Sequence, residues 1–215
     1  MIHLANGEEP MGAFRVLGVD PAAAGPTGYG ILETDGKTCR VIHYGAFRVA
    51  PKRQKDSPAA VLHDVHELLS ELLDRFKPQA MAVESVFTAL NMRTALRLAE
   101  VRGVVLLAAE QHHIEVRSYS PREVKACVAG YGHADKRQMQ TMVRAWLNLE
   151  ETPEPSHAAD ALAIALCYLQ ARQFEERFGV SKDGDPRQRV SRSSVSTVLR
   201  YRATTNRPPR IPTNR

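Results

Sequence analysis

Phe14-Arg15-Val16-Leu17-Gly18-Val19-Asp20-Pro21 decides the fold. Its apolar run reads as a strand with a buried face, and Asp20-Pro21 is a turn signal at its end. Gly25-Pro26-Thr27-Gly28 then predicts a hairpin turn into a second strand over 29–33. Residues 40–47 supply a third strand, so the chain opens as an antiparallel meander.

The pattern changes downstream. Val61, Leu62, Val65, Leu68, Leu69, Leu72 and Leu73 recur at helical spacing within 59–76. Residues 79–83 form a short apolar strand ended by Glu84. A helix over 91–111 follows, with Leu96, Val101, Val104, Val105 and Ala108 expected to face inward, and then a strand over 114–118. Ser120-Pro121-Arg122-Glu123 matches a capping box with proline at the first helical position, opening a short helix through Cys127. Helices over 136–147 and 158–170 complete the series. Hairpin strands followed by alternating helices and strands predict an α/β fold, a mixed five-stranded sheet with flanking helices. No internal repeat is visible.

Composition bounds the function classes. A chain of 215 residues with 43% hydrophobic and 25% charged residues is globular, with room for one sizeable core. Residues 158–169 are too short and too interrupted by charge to span a bilayer, and residues 1–11 lack the apolar core of a secretion signal. Cys39, Cys127 and Cys167 are odd in number and widely spaced, which suits free thiols in a cytoplasmic protein. The net charge is +5, but residues 181–215 hold nine basic residues against Asp183 and Asp185, a charge of +7. Residues 1–180 therefore carry −2, and any polyanion site within them must be a local patch. The chain divides into a flexible lead over 1–12, one domain over 13–172 and a basic, disordered tail over 173–215.

Two strands end in a carboxylate directly after an apolar run, Val19-Asp20 and Val83-Glu84. Asp160 opens the last apolar helix, with His157 three residues before it on the same helical face. Acidic groups gathered at strand ends and a helix terminus repel one another strongly unless divalent cations join them, and two such ions can drive phosphodiester hydrolysis. Each residue also has a plain structural reading. Asp20-Pro21 is a turn signal, Glu84 suits a solvated strand end, and Asp160 and His157 suit the first turn of a helix.

Other features are weaker. Gly25, Gly28 and Gly30 lack the Lys-Ser/Thr of a phosphate loop, so the hairpin reading stands. Arg117, Arg122, Lys125, Lys136, Arg137 and Arg144 fall within one stretch against only Glu123 and Asp135. That stretch reads as a solvated face or as a phosphate-contacting patch. Phe87, just past Glu84, is either a core residue or a base-stacking wedge.

In order along the chain, Leu17-Gly18-Val19-Asp20-Pro21, Thr27-Gly28-Tyr29-Gly30 and Val83-Glu84-Ser85-Val86-Phe87 resemble motifs of the RuvC-type Holliday junction resolvases. So do Ala95-Leu96-Arg97-Leu98, Arg102-Gly103, Pro121-Arg122-Glu123-Val124-Lys125, Gly130-Tyr131-Gly132, Ala134-Asp135-Lys136 and His157-Ala158-Ala159-Asp160-Ala161-Leu162-Ala163. The similarity runs from about Val16 to Tyr168. It departs at Ala22, Leu90 and Ala99-Glu100-Val101, and at His157, where Asp is commoner in the family.

The resemblance implies an RNase H-like fold and a homodimer that cuts two opposed strands of a four-way DNA junction, in recombination and repair. The ends left are 5′-phosphate and 3′-hydroxyl. Mg²⁺, two ions per subunit and replaceable by Mn²⁺, would be held by Asp20, Glu84, His157 and Asp160, which are also the catalytic set. Phe87, Arg122, Lys125, Lys136 and Arg137 would contact DNA, the helix over 91–111 would pack across the dimer, and the RuvA–RuvB branch-migration complex would be a partner. A non-catalytic junction-binding protein is the alternative, which loss of Asp20 or Glu84 would have favoured. A two-lobed sugar-kinase or actin-like protein needs more residues and a second Asp-Gly-Thr turn.

Overall fold

The computed structural model describes residues 13–22, 25–47, 58–85 and 91–178. Strands β1 (Phe14–Asp20), β2 (Thr27–Thr34) and β3 (Cys39–Phe47) form the expected meander. Helix α1 (Pro58–Phe76) leads to β4 (Ala80–Glu84), and α2 (Met92–Gln111) leads to β5 (Glu115–Tyr119). Helices α3 (Pro121–Ala129), α4 (Lys136–Trp146) and α5 (Ser156–Phe178) complete the chain. The sheet order is β3-β2-β1-β4-β5, antiparallel between β1, β2 and β3 and parallel between β1, β4 and β5. This is the mixed five-stranded sheet of an RNase H-like fold.

Side chains alternate across the sheet and build two cores. Leu17, Val19, Ile31, Met81 and Val83 meet α1 and α2 through Leu69, Leu73, Val101, Val105 and Ala108. Val16, Leu32, Ala80 and Ala82 meet α5 on the opposite face. Helices α3 and α4 lie over α5 and contribute Val124, Val128, Met139 and Val143. Covered on both sides, α5 is apolar around its whole circumference, and Ala161–Leu169 is buried without interruption.

Glycines set how closely α5 approaches. A Cβ on Gly18 would lie 2.1 Å from the Ala161 carbonyl oxygen, and one on Gly28 would lie 1.9 Å from that of His157. The helix backbone rests directly on β1 and β2 there. The expected turn at 25–28 ends earlier than predicted, because Thr27 and Gly28 already pair within the sheet, Gly28 opposite Asp20.

Two further expectations change. Leu96 is 59% exposed, because Val101, Val105, Ala108 and Ala109 fill the inward face of α2 and turn Leu96 to the opposite side. Helix α5 runs to Phe178 rather than to residue 170, so residues 173–178 are helical and not part of the tail. Arg172 lies over the Phe14 ring at 3.5 Å, and Arg117 pairs with Glu175, which holds this last stretch against the domain. The expected lead and the tail from residue 179 lie outside the described residues.

The glycine contact yields a stability prediction. Gly28→Ala forces the His157 backbone away from β2, and overpacking of this kind should cost roughly 3 kcal/mol. Urea denaturation is expected to show that loss, together with a fall in any activity that needs His157 in place.

Candidate metal centre

Strand alternation puts Gly18 and Asp20 of β1, and Ala80, Ala82 and Glu84 of β4, on the sheet face that α5 covers. The parallel register pairs Val19 with Val83, so Asp20 and Glu84 end neighbouring strands side by side. Helix α5 starts over this edge, and its first turn carries His157 and Asp160 down to it. The carboxyl ends of parallel strands are where open α/β sheets place their ligands.

The four expected residues do not converge equally. Asp20, His157 and Asp160 each offer a ligand atom, and these atoms lie within 4.8 Å of one another. His157 Nδ1 is 3.0 Å from Asp20 Oδ2, a hydrogen bond in which the ring N–H donates. Glu84 falls outside that 4.8 Å group but feels its charge. Burial, then the neighbouring Asp20 and Asp160, pushes the Glu84 carboxyl up to about 7, against a partial offset from Lys125. Burial likewise raises Asp20 to about 6, although the His157 hydrogen bond pulls the other way. Asp160 is also raised, chiefly by burial, with Lys136 and His157 opposing.

Three carboxyl groups whose charges are penalised by burial, two of them also by neighbouring acids, fit a divalent cation, which would offset both effects. The donor set is carboxylate oxygen plus one imidazole. With Nδ1–H donating to Asp20, Nε2 keeps the lone pair that can ligate.

Basic groups border the acids. Lys125 in α3 and Lys136 at the start of α4 are both near enough to lower the carboxyl pKa values. Lys136 Nζ also donates to Ser156 Oγ at 2.8 Å, which ties the N-terminus of α4 to that of α5. Arg122 and Arg137 are exposed near the first turns of α3 and α4. The basic stretch therefore does not act as one patch. Arg117 is taken up by Glu115 and Glu175 and lies over Tyr168, while Arg144 Nε donates to the Leu149 carbonyl at the far end of α4. Phe87 lies outside the described residues.

A sequence profile described as "Crossover junction endodeoxyribonuclease RuvC" matches residues 16–168. The chain belongs to the RuvC family. A RuvC crossover junction endodeoxyribonuclease of Alkaliphilus metalliredigens is 39% identical over 165 residues, 77% of this chain and 98% of that protein. Thermus thermophilus RuvC superposes with a TM-score of 0.66 at 36% identity, covering 77% of this chain and 97% of the other. The T. thermophilus RuvC complex with Holliday junction substrate gives 0.65 at 33% identity, covering 74% and 96%. This RuvC-family protein is an endonuclease of crossover-junction DNA.

Sequence reasoning did not find three supports of this acidic cluster. Thr27 Oγ1 accepts from the Ala22 amide at 3.3 Å and anchors the chain just beyond Asp20. Ser156 holds Lys136, and Gly18 and Gly28 let His157 and Asp160 approach. Glycines placed two apart in a strand, as at Gly28 and Gly30, were the available signal for a close helix.

The raised carboxyls fix the sign of a pH effect. Glu84 titrates near 4.5 when unfolded and near 7 when folded, so it favours the fold at low pH. That contribution is lost as pH rises through this window. Metal-free Glu84→Gln is therefore expected to be more stable than wild type at pH 8, by roughly 2 kcal/mol. Calorimetry in chelator should show the gap closing below pH 5, and a divalent cation should raise the wild-type Tm more than that of the variant.

Proposed function

We propose that this chain resolves Holliday junctions as a homodimer, each subunit cutting one of two opposed strands with Asp20, Glu84, His157 and Asp160 around divalent metal. The observation that carries this reading is the convergence of three burial-raised carboxyls and an imidazole at adjoining strand and helix ends. Asp20 pairs with His157 and lies in the charge field of Asp160, so it would be a ligand for Mg²⁺, two ions per subunit, or for Mn²⁺ in their place. Glu84 would hold one ion, and Asp160 with His157 the other. Divalent metal held there would supply activation of the attacking water and charge stabilisation at the leaving 3′-oxygen, a cut that leaves 5′-phosphate and 3′-hydroxyl ends.

The remaining residues bind and orient. Lys125 and Lys136 border the carboxylates and suit the phosphates on either side of the cut, with Arg122 and Arg137 farther out. The Asp20–His157 hydrogen bond fixes the imidazole, so its second nitrogen is presented in one orientation. Phe87, following Glu84, suits stacking near the junction centre. The basic tail from residue 179 suits salt-sensitive, structure-blind DNA affinity. Cytoplasmic action after the RuvA–RuvB branch-migration complex fits the family.

The dimer reading rests on α2. Met92, Leu96, Ala99, Gly103 and Leu107 are all exposed and recur at helical spacing along one face. Met92 is 74%, Leu96 59% and Leu107 52% exposed, which is costly unless a partner covers them. Gly103 leaves open space above the helix where a second helix can approach. A two-fold pair presents two cutting centres to a pseudo-two-fold junction.

Two measurements test these points. Asp20→Asn is expected to cut a labelled junction at least about a hundredfold more slowly while still binding it, since charge stabilisation at a reacting phosphate is worth several kcal/mol. Normal cutting by the folded variant would remove Asp20 from the mechanism. Leu96→Asp should weaken the dimer at least about tenfold in sedimentation equilibrium, because a charge would be buried in an apolar contact. An unchanged dimer would place the interface elsewhere.

A further inference from the structure

The turn between α3 and α4 carries an aromatic side chain that neither the acidic centre nor the cores use. Tyr131 is 48% exposed, yet it is firmly held. Its hydroxyl donates to Gln138 Oε1 at 2.6 Å, and the same oxygen accepts the Asp135 amide at 2.9 Å in the capping box of α4. Gly130 closes α3 in the left-handed conformation at φ 90°, where a larger residue would be strained. Gly132 lies so close to α3 that a Cβ there would come within 2.7 Å of Arg122 Cγ. Ala134 is fully buried. The turn is thus pinned by these contacts while Tyr131 keeps nearly half its surface in solvent.

Its surroundings are cationic. Lys136 and Arg137 are exposed where the turn enters α4, and Arg122, exposed in the first turn of α3, lies against Gly132 of the turn. The two acids of this stretch are occupied by backbone: Glu123 accepts from the Ser120 amide and Asp135 from the Gln138 amide. Lys136, bound to Ser156 at the start of α5, connects the turn to the edge where Asp160 lies. A fixed, half-exposed aromatic residue among arginine and lysine side chains, on a turn that Lys136 joins to the acidic edge, has the chemistry of a nucleic-acid contact. Cations meet phosphates, and the ring meets a sugar or base face.

We propose that Tyr131 is a DNA-contacting residue: its ring packs on the sugar-phosphate backbone of the junction arm beside the cut, with Arg122 and Arg137 on the adjoining phosphates. The assignment rests on the junction-nuclease reading above. Its contacts are to backbone, so Tyr131 serves affinity and placement without reading sequence.

The test compares wild type, Tyr131→Ala and Tyr131→Phe as full-length proteins on a labelled four-way junction. Binding is measured in chelator, and cleavage kinetics are measured with Mg²⁺. Tyr131→Ala is expected to raise Kd and KM roughly five- to tenfold, with kcat at saturating junction within about twofold of wild type. Tyr131→Phe, which keeps the ring, should recover most of that loss, and all three Tm values should agree within about 2 °C. If wild type neither binds nor cuts the junction, the nuclease reading itself fails. If wild type does both and Tyr131→Ala matches it, or if Tyr131→Ala loses binding only in step with a lowered Tm, the Tyr131 assignment is overturned.

Discussion

Helix α5 meets the sheet backbone to backbone, at Gly18 of β1 and Gly28 of β2, and the rest of the molecule is arranged around that contact. Any side chain at either position would lift the helix, and with it His157 and Asp160, off the strand ends that carry Asp20 and Glu84. The approach is stabilised from above by α3 and α4, which cover the outer side of α5 with Val124, Val128, Met139 and Val143. Close packing of this kind transmits small displacements with little relaxation, so the distances in the acidic centre depend on residues that never touch it.

The centre works against the stability of the metal-free chain. Burial raises Asp20, Glu84 and Asp160, and neighbouring carboxylates add to it at Asp20 and Glu84, so the fold holds charges that water would solvate better. Two apolar cores on opposite sheet faces offset that cost. Reciprocal capping boxes at α3 and α4 fix the helix ends that face the acids. Lys125 and Lys136 give local relief by lowering the carboxyl pKa values from a distance, with no salt bridge to the three acids among the described residues.

Three kinds of surface follow from the topology. The carboxyl edge of β1 and β4 holds the acidic cluster, the first turns of α3 and α4 hold exposed cations with Tyr131 in the turn between these helices, and the outer face of α2 holds an apolar stripe. Helix α2 starts beyond Glu84 and packs on the sheet face opposite α5, so the stripe and the acidic centre do not compete for the same contacts.

The sequence alone determined the strands and helices of this protein nearly to their ends, because apolar alternation, helical periodicity and capping residues are local signals. It also determined that Asp20 and Glu84 close apolar strands and that His157 and Asp160 share a helix face. Leu96 escaped it: α2 carries apolar residues on both sides, and only packing against α1 and the sheet decided which side is buried. The end of α5 escaped it too, since the Arg172 and Arg117 contacts that hold residues 173–178 are made with distant parts of the chain. Which of the many cations serve the centre was likewise a tertiary decision. Arg117 and Lys136 look equivalent as charges in sequence, yet one is neutralised by Glu115 and Glu175 and the other stands at Ser156 beside the acids. Parallel pairing of β1 with β4 placed Asp20 beside Glu84, and that pairing joins strands separated in the chain by β2, β3 and α1, which no local pattern records.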